Sequence, residues 1–145
     1  VRHAYFAGAV RKHLAHDLYN QPHERRVLDA QVVRLHGGEA SVLGDDLLCT
    51  NPKRIKYAID EKAANALLLK VNQIGTLTEA AEAYKLARSD NWKVVVSARS
   101  GETEDNWLSD LAVGWAGDYI KIGSITQSER LAKYNRLLEL EVEMR

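Results

Sequence analysis

The chain has 145 residues, enough for one domain with a sizeable core, and its 46% hydrophobic and 28% charged residues are an ordinary globular mixture. Twenty Lys+Arg balance twenty Asp+Glu, so no net field selects a nucleic acid or an anionic membrane as partner. Cys49 is the single cysteine, which excludes an internal disulfide and fits a reducing, cytoplasmic setting, and no apolar run approaches the roughly 18 residues of a membrane span.

The start, Val1-Arg2-His3, shows neither an initiator Met nor the apolar core of a signal peptide, so the chain reads as a piece of something longer. Helices are expected over 6–14 and 27–35, with a weak strand at Leu18-Tyr19 between them. Four strands then follow: Ala40-Ser41-Val42-Leu43, Ala66-Leu67-Leu68-Leu69, Lys93-Val94-Val95-Val96 and Asp118-Tyr119-Ile120. They are short, apolar and mostly unalternating, the pattern of strands covered on both faces in a parallel sheet.

The stretches between them carry helix signals. Thr50-Asn51-Pro52 offers an N-cap and a proline for the first turn, ahead of Ile55, Tyr57, Ala58 and Ile59. Thr76-Leu77-Thr78-Glu79 has the spacing of a capping box, followed by Ala80, Ala83, Tyr84 and Ala87 at helical intervals. Trp107, Leu108, Leu111, Ala112 and Trp115 make a third stripe. Ser128-Glu129-Arg130 opens a last helix with Leu131, Tyr134, Leu138 and Val142 on one face.

Repeated strand–helix units imply an α/β fold with a parallel sheet and outer helices, either an open doubly wound sheet or part of a (β/α) barrel. No G-x-G-x-x-G follows a strand, which counts against the nucleotide-binding version. Polar groups instead gather at successive strand ends, as in barrel active sites: Asp45-Asp46, Lys70, Arg99-Ser100 and Lys121. A (β/α)8 barrel is therefore expected, with only part of it present.

Each strand end suggests chemistry. Asp45 and Asp46 could begin a loop and cap the next helix, or a carboxylate there could bind Mg²⁺, a cation that prefers oxygen ligands. Lys70 closes the most apolar strand and is expected to face the barrel mouth, where desolvation or a second cation can make it a general base. Lys121 occupies the equivalent place one unit later, and the two lysines together suit an anionic substrate. Arg99 and Ser100 read as a phosphate grip, with a guanidinium fork, a hydroxyl and a glycine that lets the backbone approach.

These residues also resemble a known family. "LLLKVNQIGTLTEA", "SARSGETED", "SERLAKYNRLLELE" and "GDDLLCTNPKRI" look like the C-terminal barrel of enolase (phosphopyruvate hydratase), most clearly from Val42 to Glu141. The resemblance implies that residues 1–145 are the C-terminal portion of an enolase-like barrel, weakly matched over 1–39 and strongly over 40–145. An N-terminal domain and the first half of the barrel would then lie outside these residues. It implies that Lys70 is the base removing the proton next to the substrate carboxylate and that Lys121 holds that carboxylate. Arg99 and Ser100 would bind the phosphate, and Asp45 would be one of three carboxylate ligands of a Mg²⁺ that stabilises the enediolate. In "LYNQPHERR", Pro22 lies 22 residues before Gly44, which sets Asn20 where a metal-binding Glu is usual, a neutral amide in place of a charged ligand.

The family motif Ser-His-Arg-Ser-Gly-Glu-Thr has Ala98 here instead of histidine, so an imidazole proton donor and substrate contact is lost. Three functions are therefore compatible with the sequence. One is a Mg²⁺-dependent hydratase interconverting 2-phosphoglycerate and phosphoenolpyruvate. Another is a diverged family enzyme acting on a related phosphonate or carboxylate, and the third is a non-catalytic relative. The family is usually dimeric with an arginine at the place of Glu139, so a homodimer with an altered contact is expected. A partial barrel should also leave apolar interior open, with Val42, Leu68 and Val95 as candidates, and be stable only beside its missing half.

Overall fold

The computed structural model describes residues 41–145. Asn20, Ala40 and the elements expected over 6–14, 18–19 and 27–35 lie outside the described residues. Four strands, β1 (Leu43–Gly44), β2 (Ala66–Leu69), β3 (Lys93–Ser97) and β4 (Tyr119–Lys121), form one sheet in the order β1-β2-β3-β4, every pair parallel. Helices α1 (Pro52–Asp60), α2 (Val71–Ile74), α3 (Leu77–Ser89), α4 (Trp107–Gly114) and α5 (Ser128–Glu143) complete the units. A doubly wound sheet reverses its strand order at a switch point. This one runs in chain order throughout, as a barrel wall does.

Local chemistry sets the helix starts. The Asn51 side-chain oxygen accepts from the amides of Lys53 and Arg54 at 3.0 and 3.3 Å, and Pro52 fills the first helical position, where no amide is needed. The Thr76 hydroxyl accepts from the Glu79 amide at 3.2 Å and donates to the Glu79 carboxylate at 2.7 Å. The carboxylate thus meets the hydroxyl rather than reaching the capping backbone amide that a full capping box would use.

Packing on the helical side explains the unalternating strands. Leu67, Leu69 and Val94 join Ile55, Ala58, Ala80, Ala83 and Ala87 in one buried cluster, while Val96 joins Leu108 and Ala112 in a second. Ala66 and Leu68, pointing to the opposite face, are buried as well. Leu68 was expected to stand open and is buried, whereas the other two candidates, Val42 and Val95, are half-buried.

Three strands differ in their bounds from the sequence reading, β3 only by running one residue further, to Ser97. Val42 lies just before the two-residue β1: its carbonyl accepts from the Asn65 and Ala66 amides at 3.2 Å, but its amide donates to the Asn65 side-chain oxygen at 2.6 Å. β4 begins one residue late because the Asp118 carboxylate accepts from the Val94 amide at 2.8 Å, taking a place the sheet ladder would otherwise fill. In α5 the apolar stripe of Leu131, Leu138 and Val142 is exposed, and the buried residues are Arg130, Lys133 and Leu140.

Candidate functional site at the strand ends

Register brings the strand-end residues together. Leu69 pairs with Val96 and Val96 with Ile120, so the next row of the sheet holds Lys70, Ser97 and Lys121. Leu67 and Leu69 point toward the helices, and Lys70 keeps extended backbone at φ −128°, so alternation turns Lys70 to the opposite face. Ile120 packs on the helical side, which turns Lys121 the same way as Lys70. One strand, β3, lies between these lysines, so their backbones stand two strand spacings apart, roughly 10 Å.

Lys70 is only 8% exposed, and its ammonium is ion-paired with the Asp45 carboxylate. The Lys70 amide donates to the Thr50 hydroxyl at 3.0 Å, and that hydroxyl donates to the Gln73 side-chain oxygen at 2.9 Å. Thr50 is fully buried and, with Cys49, lies in the left-handed region, at φ 52° and 48°. That conformation is costly for a β-branched residue. This hydroxyl is a part of the site that the sequence reading assigned to a helix cap.

Arg99 is half-buried at the end of β3. Its guanidinium donates to the Asn72 side-chain oxygen at 2.9 Å, just beyond Lys70, and its amide donates to the Glu102 carboxylate at 2.6 Å. Ser100 is exposed, with its carbonyl accepting from Arg130 at 3.1 Å. Lys121 is exposed on β4. Three cations, Lys70, Arg99 and Lys121, thus stand at successive strand ends, with the Asp45 carboxylate paired to Lys70. Asp46 is exposed and contributes its carbonyl to Cys49. Ala98 packs with Val96, Leu108 and Ala112 in the apolar cluster under α4.

The donor chemistry at Asp45 fits one ligand of a hard cation such as Mg²⁺. Among the described residues, no group of three His, Cys, Asp or Glu side chains is placed to hold a metal. Asn20, the other candidate ligand, lies outside them.

Behind the strand ends stand residues that sequence reasoning passed over. Lys133 and Arg130, one turn apart on α5, reach into the loop after β3, and within that loop the Glu102 carboxylate accepts from the Arg99 amide. Their signal was present in "SERLAKYN", where two cations spaced three residues apart interrupt the apolar stripe. Such a pattern ordinarily marks a solvated face.

The parallel units in chain order, with a cationic mouth at the carboxyl ends of the strands, define a section of a (β/α) barrel. The family model described as the enolase C-terminal TIM barrel domain matches residues 27–145, and the chain belongs to that family. It is 56% identical over 108 residues to "Enolase B" of Dictyostelium discoideum and 57% identical over 108 residues to "Enolase 2" of Hevea brasiliensis. It is likewise 57% identical over 108 residues to "Enolase" of Eimeria tenella. Each match covers 74% of this chain and 24% of the relative, so the chain spans about a quarter of the length of these curated relatives.

Proposed function

We propose that this chain is the part of an enolase-type lyase that removes the proton and holds the anion, acting in the full-length protein on 2-phosphoglycerate to give phosphoenolpyruvate. The observation that carries this reading is the shared row and face of Lys70 and Lys121, with Arg99 beside them. Lys70, as the neutral amine, takes the proton from the carbon next to the substrate carboxylate, and the ammonium so formed is the species that pairs with the Asp45 carboxylate. Lys121 holds the substrate carboxylate, and Arg99 with Ser100 grips the phosphate. Mg²⁺, when bound with Asp45 among its ligands, supplies positive charge to the substrate carboxylate as the proton leaves. The protein works in the cytoplasm as a homodimer. Glu139, paired with Arg136 of its own helix at 3.1 Å, changes the dimer contact.

Substitution Lys70→Ala in the full-length protein should abolish exchange of the substrate α-proton with deuterated water, followed by NMR, and lower kcat by about 10²–10⁴-fold. Exchange at the parent rate would remove Lys70 as the base. A second reading, a family enzyme for a related phosphonate or carboxylate, is supported by Ala98, which supplies a methyl group to an apolar cluster instead of an imidazole. Turnover of such an acid in preference to 2-phosphoglycerate would decide for it.

A further inference from the structure

Lys133 is the most deeply buried charge among the described residues, 0% exposed, yet it lies on the last helix, away from the sheet row that carries Lys70 and Lys121. Its ammonium donates to the carbonyls of Thr103 and Asp105 at 2.7 and 2.6 Å and is ion-paired with the Glu102 carboxylate at 3.1 Å. Three donors therefore meet three oxygens, all in the loop that follows β3. Burying an ammonium costs several kcal/mol, and apolar residues of the same volume often hold a fold as well. Stability alone therefore does not account for the arrangement, and what it does supply is a fixed loop geometry.

Glu102 carries that geometry to the site. One of its oxygens faces Lys133, and the other accepts from the Arg99 amide at 2.6 Å. One helical turn earlier, Arg130 donates to the Ser100 carbonyl and to the Ile122 carbonyl, each at 3.1 Å. Ile122 directly follows Lys121, so α5 ties the ends of β3 and β4 to each other.

We propose that Glu102 and Lys133 are positioning residues that hold the Arg99–Ser100 backbone in the geometry needed to grip a phosphate group. The proposal rests on the reading of Arg99 and Ser100 as the phosphate grip given above. Neither Glu102 nor Lys133 touches the substrate. Their effect passes through the Arg99 amide.

The test is calorimetry on the full-length protein with two probes, 2-phosphoglycolate and glycolate. The ratio of their affinities isolates the contribution of the phosphate group. The parent should bind 2-phosphoglycolate at least about 100-fold more tightly. An absent ratio in the parent would sink the reading of the grip itself, and with it the premise. Given the parent ratio, Glu102→Ala should lower it about tenfold, equivalent to roughly 1.4 kcal/mol, with glycolate affinity retained, while the melting temperature falls because the buried Lys133 ammonium loses its carboxylate. Glu102→Gln, which keeps an oxygen for the Arg99 amide, should recover most of the ratio. Lys133→Met should act in the same direction. If that variant does not fold, the two Glu102 variants decide. An unchanged ratio in Glu102→Ala, or an equal loss for both probes, would overturn the proposal, since a general structural role would weaken the two alike.

Discussion

Helices α3 and α5 are attached to the rest of the molecule by opposite means. α3 lies against the strands through Ala80, Ala83 and Ala87, all fully buried, in one cluster with Leu67, Leu69 and Val94. Small side chains let that helix approach closely, and its contribution is non-directional burial of apolar surface. α5 buries Arg130, Lys133 and Leu140 while its apolar stripe faces outward. Its attachments are hydrogen bonds from cations to named carbonyls, which work at one distance and one angle only. Apolar packing tolerates small shifts. The α5 contacts convert a shift of the helix into a displaced loop at the site.

This contrast sets the order of expected losses. Lys133→Ala in the full-length protein leaves the Glu102 carboxylate and two carbonyls without their buried partner and should cost about 3–5 kcal/mol in urea unfolding. Ala83→Leu overpacks the tight side and should cost about 1–3 kcal/mol. A reversed order would break the distinction between the two helices.

Ala98 sharpens it, because it stands where the apolar layer meets the cationic loop. Ala98→His places a polar ring among Val96, Leu108 and Ala112 and should destabilise by about 1–3 kcal/mol. A urea midpoint equal to the parent would show that a side chain at 98 opens toward the barrel mouth.

The smallest effect belongs to the exposed tie between α4 and α5. The Arg136 guanidinium, bound to Asp110 at 2.8 and 3.0 Å, holds that carboxyl below its ordinary pKa of 3.8. Folding therefore favours the charged form. The stability this adds is present above the ordinary value and is lost as pH falls through the lowered folded one. Asp110→Asn should flatten the melting-temperature profile only below about pH 4 and should leave it unchanged at pH 7 within a degree or two, since exposed pairs contribute little. A large change at neutral pH would make this tie part of the α5 anchorage.

The sequence was most legible where one physical cause acts alone. Ala66–Leu69 is apolar because both of its faces are covered, and that cause leaves an unbroken run. Asn51-Pro52 and Thr76 announce helix starts because orphan amides need a local acceptor. Lys70 could be placed as a buried residue because a polar group closing a covered strand has few places to point, whereas Ser100 and Lys121 are exposed. β1 was harder, since its pairing to β2 begins with the Asn65 side chain, and no periodicity encodes that. The inner face of α5 was hardest. Cations at 130 and 133 look solvated in sequence, and only the carbonyls brought to them by distant loops show that they are buried.

The turn at Cys49–Thr50 also limits which substitutions the chain can absorb. Two successive residues hold a conformation that glycine or asparagine adopts more readily, and Cys49 has no hydrogen bond that glycine could not dispense with except its thiol contact to the Asp46 carbonyl. Position 50 is not so free: the Lys70 amide and Gln73 both depend on its hydroxyl, so only serine preserves the bonds while easing the crowding of a branched side chain. Adjacent residues sharing one backbone shape thus face opposite demands. Drift is open at the first, and the second has a vocabulary of two.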